Sequence, residues 1–161
     1  MLETAYIALG ANLGNAKAAL ESAVARIGQL ENVTVTKSSS FYKTAPIDSS
    51  GPDYINAVIE VKTEVSEREL LRQLLALEQE FGRVRPVGVV NAPRTMDLDL
   101  LLYGQKVCND DFLVLPHPRM HQRAFVLVPL LEIAPDVQIV GKGAAKNFLP
   151  DVVDQTIAKM V

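Results

Sequence analysis

The chain has 161 residues, 48% hydrophobic and 22% charged, with sixteen basic and nineteen acidic residues and a net charge of −3. This composition fits one soluble globular domain, residues 1–161, with a sizeable core; it argues against disorder and against a sequence-blind nucleic-acid binder. Apolar stretches are broken short of the roughly 18 residues a membrane span needs, and the single cysteine, Cys108, excludes an internal disulfide framework and a multi-cysteine zinc site.

MLETAYIALG has no basic segment ahead of an apolar core and no small-residue cleavage site, so a cytoplasmic location is expected. From Ala5, AYIALGANL reads as an apolar strand entering a Gly/Asn turn. Asn15 then caps a helix, AKAALESAVARIGQL, near whose end Gly28 stands. VTVTKSSSFYKTAPI alternates with period two and predicts a strand that ends at Ala45-Pro46, followed by the loop DSSGPD. YINAVIEVKTEV alternates again, placing Ile55, Ala57, Ile59 and Val61 on one face and Tyr54, Asn56, Val58 and Glu60 on the other.

Ser66 and Glu69 form a capping box for the helix SERELLRQLLALEQEF, with its stripe of Leu70, Leu71, Leu74, Leu77 and Phe81. GRVRPVGVVNAPRT reads as a long loop and MDLDLLLYG as a strand closed by glycine. KVCNDDFLVLPHP holds two short strands around a turn, MHQRAFVLVPLLEIAP is helical in outline despite Pro129, and DVVDQTIAKMV predicts a short final helix. Strand, helix, two strands, helix, strand makes an α+β protein with a ferredoxin-like βαββαβ core and added strands.

RTMDLDLLL carries the chemistry. Residues two apart on a strand share a face at about 6 to 7 Å, so Asp97 and Asp99 project together while Leu98 and Leu100 enter the core. Two carboxylates that close repel unless a cation or several donors neutralise them. Magnesium takes one or two carboxylates and draws further ligands from water and substrate phosphates, which favours a magnesium-nucleotide site. The alternative is an exposed face whose acids pair with arginines.

Neither GxxxxGK[ST] nor GxGxxG occurs, so bound phosphates would be held by metal and arginine. Arg83, Arg85 and Arg94 lie just before the acidic strand, Arg119 and Arg123 beyond it beside His117 and His121. The arginine fork donates bidentately to phosphate oxygens, and arginines in a loop before fixed aspartates suggest a lid.

In order, LGANLG, SSFYKTAPI, PDYINAVIEV, LEQEFGRVR, APRTMDLDLLLYG and LPHPRMHQRAFVLVPLLEIAP closely resemble the 6-hydroxymethyl-7,8-dihydropterin pyrophosphokinases of folate biosynthesis, over roughly residues 5 to 136. The resemblance implies a three-layer α/β/α sandwich around a mainly antiparallel sheet. It also implies transfer of the β,γ-pyrophosphoryl group of ATP, the co-substrate, to the pterin hydroxymethyl group, with AMP released and two magnesium ions engaged.

Carried over by resemblance, Asp97 and Asp99 are ligands of both ions, with Asp99 a candidate proton acceptor. Arg85 and Arg94 meet the phosphates as charge develops, and Glu78, Arg83, His117 and Arg123 are nucleotide contacts. Tyr54 and Phe125 sandwich the pterin, Asn56 reads its edge with a donor and an acceptor, and backbone groups of Thr44, Pro46 and Ile47 complete that recognition. His121 is expected on a helix surface, and Tyr6, Tyr42 and Tyr103 in packing. Where the family carries an Arg-Trp pair in WGPRT, this chain has VGVVNAPRT, leaving Val89 or Val90 as apolar cover, and Pro118 stands where a tyrosine is common. The expected partners are small molecules, without nucleic acid or membrane, and the expected state is a monomer.

Two other classes stay open on the residues alone. A DxD glycosyltransferase would also need carboxylates and a metal, but 161 residues leave little room for two substrate domains. A ferredoxin-like ligand-binding module needs neither the carboxylate pair nor the arginine loop.

Overall fold

The computed structural model describes residues 2–12, 15–44, 53–81 and 96–160. An interior strand of the sheet, β1 (Glu3–Ala11), pairs antiparallel on one side with β4 (Tyr54–Thr63) and on the other with β5 (Asp97–Tyr103). It is covered on both faces, which explains its near-continuous apolar run: Ala5, Ile7, Leu9 and Ala11 enter one core and Ala8 the other.

Helix α1 (Ala16–Gly28) starts where the Asn15 side chain accepts the Ala18 N–H at 3.2 Å, and its stripe of Leu20, Ala23 and Ile27 is buried. Helix α2 (Glu67–Glu80) starts where the Ser66 hydroxyl accepts the Glu69 N–H at 3.2 Å, with Glu67 and Glu69 in the first turn favourable to the helix dipole. Leu70, Leu74 and Leu77 pack beside the α1 stripe onto one face of the sheet.

Both β2 (Val33–Ser38) and β3 (Tyr42–Thr44) pair with β4, so the order running from these two strands through β4 and β1 to β5 is the expected ferredoxin-like arrangement. The other face is covered by α3 (Ala124–Ile133) and 3-10 turns at Met120–Gln122 and Ala145–Val152, around Val58, Leu101, Leu102, Met120, Leu127 and Leu130. Three layers result, with a core on each side of the sheet.

Local departures have identifiable causes. The strand expected from Val33 to the Ala45-Pro46 step is split because Ser39 Oγ accepts the Val58 N–H at 2.9 Å and the Ser40 N–H turns to the Glu132 carboxylate at 3.0 Å. A side chain there replaces a rung of the ladder. The helix expected from Met120 breaks at Arg123, whose φ of −128° and ψ of 118° are extended, so α3 begins at Ala124.

The short hairpin β6 (Cys108–Asn109) and β7 (Val114–Leu115) is as expected, its turn closed by Asp110 Oδ1 accepting the N–H groups of Phe112 and Leu113. A further hairpin, β8 (Gln138–Ile139) with β9 (Gly143–Ala144), was not legible in the pattern; it turns through Gly141 and Gly143 at positive φ.

The helix expected over 151–161 is absent among the described residues, 151–160. Those residues finish the 3-10 segment and form β10 (Ile157–Lys159), antiparallel to β3. Val152, Val153, Thr156 and Ile157 are β-branched, an isolated helix this short nucleates poorly, and β3 offers an edge to pair with. Among the described residues, no helix is long and apolar enough to cross a membrane.

Leu74 is fully buried between α2 and the sheet. Leu74→Ala is expected to lower unfolding free energy by about 2–5 kcal/mol, read from urea denaturation as a lower midpoint at unchanged slope.

Candidate active site

Leu98 and Leu100 sit in the core beneath α1 and α2, which leaves Asp97 and Asp99 half-buried on the α3 face at the head of β5. A register shift follows: Ile7 is opposite Leu100 but Tyr6 is opposite Leu102. Leu101 and Leu102 therefore both serve the core under α3, and Tyr103 returns to the first.

The register also builds a row across the face. Gly10 lies between Asp97 and Asn56, and Asn56 in turn lies opposite Tyr42. With strands ~4.8 Å apart, the backbones of Asp97 and Asn56 are about 10 Å from each other. In the next row Ala8 separates Asp99 from Val58.

Asn56 is only 4% exposed, and its Nδ2 donates to Thr44 Oγ1 at 2.8 Å. A Cβ on Gly10 would lie 3.0 Å from Asn56 Oδ1, so the amide carbonyl hangs over the glycine. Glycine thus forms a low floor between the acid and the amide. Tyr54 is half-buried and pairs with Thr44 at the same end of β4.

The opposite wall comes from the segment leading into α3. The His117 N–H donates to Leu101 O at 2.9 Å, which ties that segment to β5. Burial pushes the His117 imidazole below its usual pKa, the Asp99 carboxylate pulls it up, and Arg123 and Arg119 push it down; the net direction is down. The imidazole is therefore neutral at pH 7. The folded state binds that proton less readily than the unfolded chain, so this residue's contribution to stability falls as pH drops below about 6.5.

Nδ1 of His117 accepts the Arg119 N–H at 3.2 Å, which assigns the ring proton to Nε2 as a donor. The Arg123 guanidinium lies 5.3 Å from the centroid of the Phe125 ring, itself half-buried against the α3-side core.

Glu132 secures α3 over β3. Its carboxylate accepts from Tyr42 OH at 2.6 Å, Ser40 Oγ at 2.8 Å and the Ser40 N–H. Burial alone would raise the Glu132 pKa; the bonds from Tyr42 and Ser40 outweigh it and hold the carboxyl below its ordinary value. Tyr42 is pushed well above the usual phenol value by burial and by the same carboxylate.

Several expected site residues are thus brought together: Asp97 and Asn56 share one row, with Thr44 bonded to the Asn56 side chain from the neighbouring row beside Tyr54, and Asp99 lies with His117, Arg123 and Phe125 along the α3 side. Glu78 is not a solvated helical carboxylate. It is 4% exposed, and its Oε2 accepts the Leu98 N–H at 2.7 Å. Pro46, Ile47, Arg83, Arg85 and Arg94 lie outside the described residues.

His121 is half-buried, edge-on to Phe148 with ring centroids 5.1 Å apart. Sequence reasoning missed Gly10, although a glycine inside a strand pattern points to close approach by another group. Tyr42, expected in packing, is buried as such, bonded to Glu132 and standing opposite Asn56 in the row. Among the described residues no three His, Cys, Asp or Glu side chains converge to hold a metal.

The profile of the 7,8-dihydro-6-hydroxymethylpterin-pyrophosphokinase (HPPK) family matches residues 6–135. A Haemophilus influenzae protein named 2-amino-4-hydroxy-6-hydroxymethyldihydropteridine pyrophosphokinase is 41% identical over 158 residues, covering 98% of each chain. A Bacillus subtilis protein of the same name is 43% identical over 139 residues, 86% of this chain and 82% of its own. The solved structure of Plasmodium falciparum HPPK-DHPS with pterin and p-hydrobenzoate superposes with a TM-score of 0.76 at 14% identity. That match covers 95% of this chain and 42% of the solved one, a likeness of fold. With the βαββαβ sheet, the acid pair at its edge and this extent of identity together, the chain belongs to the 7,8-dihydro-6-hydroxymethylpterin-pyrophosphokinase family.

Proposed function

We propose that this protein transfers the pyrophosphoryl group of ATP to the hydroxymethyl group of 6-hydroxymethyl-7,8-dihydropterin and releases AMP, a step of folate biosynthesis. The observation that carries this reading is the row Asp97, Gly10, Asn56 on one sheet face. It gives a flat heterocycle a polar reader at one end and a carboxylate pair at the other.

In this reading the pterin lies over Gly10 between Tyr54 and Phe125, which also excludes water from its faces. Asn56 reads its edge, helped by Thr44 and the backbone of Pro46 and Ile47. Holding Asn56 Nδ2 at Thr44 Oγ1 fixes which way the amide faces, so donor and acceptor are presented in one orientation. The hydroxymethyl group then points to Asp97 and Asp99.

Magnesium suits the donor set, since it takes one or two carboxylates and finds its other ligands in phosphate oxygens and water. Two ions there would neutralise the triphosphate and lower the pKa of the attacking hydroxyl. The hydroxymethyl oxygen bonds to the β-phosphorus as the bond from that phosphorus to the α,β-bridging oxygen breaks, and AMP departs with the bridging oxygen. In this reading Asp99 is the candidate acceptor of the hydroxyl proton. The neutral His117 donates Nε2–H to the nucleotide beside Arg123, Arg83 is a further nucleotide contact, and Arg85 and Arg94 meet the charge that grows on the phosphates. The same reading takes the protein as a cytoplasmic monomer that binds neither nucleic acid nor membrane, to be checked by sedimentation at micromolar concentration.

The test is AMP release from ATP and magnesium with and without the pterin. Pterin-dependent AMP without ADP is the expected result; ADP as product, or release indifferent to pterin, would overturn the reading. Gly10→Ala provides a second check, because its methyl would crowd Asn56 Oδ1 and raise the floor. The expected effect is a KM for pterin about tenfold higher, some 1.4 kcal/mol, with the KM for ATP little changed. An unaltered pterin KM would remove Gly10 from the pocket.

A further inference from the structure

Glu78 occupies a place where a carboxylate is costly. It lies on the buried side of α2 with Leu70, Leu74 and Leu77, and a charged group there is tolerated only when its oxygens are hydrogen-bonded. One of those bonds is from the Leu98 N–H at 2.7 Å. Among the described residues β5 is the outer strand beside β1, so an amide facing away from β1 meets no neighbouring strand.

Leu98 stands between Asp97 and Asp99, and its side chain is pinned in the first core at 2% exposure. The bond from its amide therefore fixes the peptide plane that joins it to Asp97, while the buried leucine fixes its own Cα. Rotation of that peptide would swing the two aspartate side chains relative to each other. Magnesium demands near-ideal octahedral geometry and gains most from a pair of carboxylates held at a set spacing.

We infer that Glu78 is a positioning residue, whose hydrogen bond to the Leu98 N–H holds Asp97 and Asp99 in the geometry that receives the metal. The inference rests on the reading of those two aspartates as metal ligands. It assigns Glu78 an effect on metal binding that a contact with the nucleotide would not produce.

The experiment uses the full chain with Mn2+ as a spectroscopic probe and a non-cleavable α,β-methylene analogue of ATP. It compares the parent, E78A, E78Q, D97A and D99A by electron paramagnetic resonance, and follows exchange of the Leu98 amide by NMR. For E78A the expected result is Mn2+ binding weaker by about tenfold, an altered hyperfine pattern and faster Leu98 exchange, with affinity for the metal-free analogue unchanged. E78Q keeps an acceptor of the same shape, so it should restore Leu98 protection and most of the Mn2+ affinity, and it remains informative should E78A fold poorly.

Parent-like Mn2+ binding and spectrum in E78A would overturn the inference, as would loss of metal-free analogue binding equal to the loss with metal. An E78Q as impaired as E78A would overturn it too, by showing that charge and not the hydrogen bond matters. These failures are separable from failure of the underlying reading. If D97A and D99A bind Mn2+ as the parent does, or the parent binds none, the metal assignment itself falls and takes the inference with it.

Discussion

Asp97→Ala and Asp99→Ala are each expected to cut pterin-dependent AMP release by on the order of 10³-fold or more, the scale of removing a group that stabilises developing charge. Stability should hardly follow. Both side chains face away from the core that anchors Leu98 and Leu100, and each lies on a half-exposed surface. Midpoints of thermal unfolding within a few degrees of the parent, beside lost turnover, are the expected pair of observations. Undiminished turnover in both variants would refute the metal assignment, and a collapse of stability would make the aspartates structural.

Asn56→Leu should act at the other end of the row. Its amide is buried and already committed to Thr44 through Nδ2, so the remaining donor and acceptor are held ready for a ring edge. A leucine fills the space but removes both, leaving the partner groups of a bound pterin desolvated and unpaired. Hydrogen bonds lost in this manner cost roughly 1–3 kcal/mol each, so the KM for pterin is expected to rise about a hundredfold. The KM for ATP should stay near its parent value. An equal rise in both would place Asn56 in the scaffold and not in recognition, and thermal unfolding would register the loss of the Thr44 bond separately.

Helices α1 and α2 were readable because their starts are marked by Asn15 and Ser66 and their stripes recur at helical spacing. Both caps are formed in the structure. The pairing of Asp97 with Asp99 on one face followed from the period of a strand. What a linear reading lacks is register. That Gly10 lies between Asp97 and Asn56 depends on how three strands slide past one another, and the register shift at Leu101 is invisible in a run of leucines. β10 was mistaken for helix because its partner, the three-residue β3, lies far away in the chain. The resemblance offered Glu78 as a nucleotide contact, whereas its bond to Leu98 joins a helix to a strand far along the chain, a relation that periodicity does not encode. The arginine roles came from family motifs and fall on residues outside those described.

The place of β10 bears on the order in which the molecule is completed. Ile157 lies opposite Thr44, the residue that orients Asn56. A ribosome delivers the chain from its N-terminus, and segments fold as they emerge. The strands that frame the acid pair, β1, β4 and β5, are thus all in hand while the border beside Thr44 still lacks its outer strand. The sheet's border beside Thr44 is therefore the last part of its framework to be paired, completed only when residues 157–159 leave the exit tunnel.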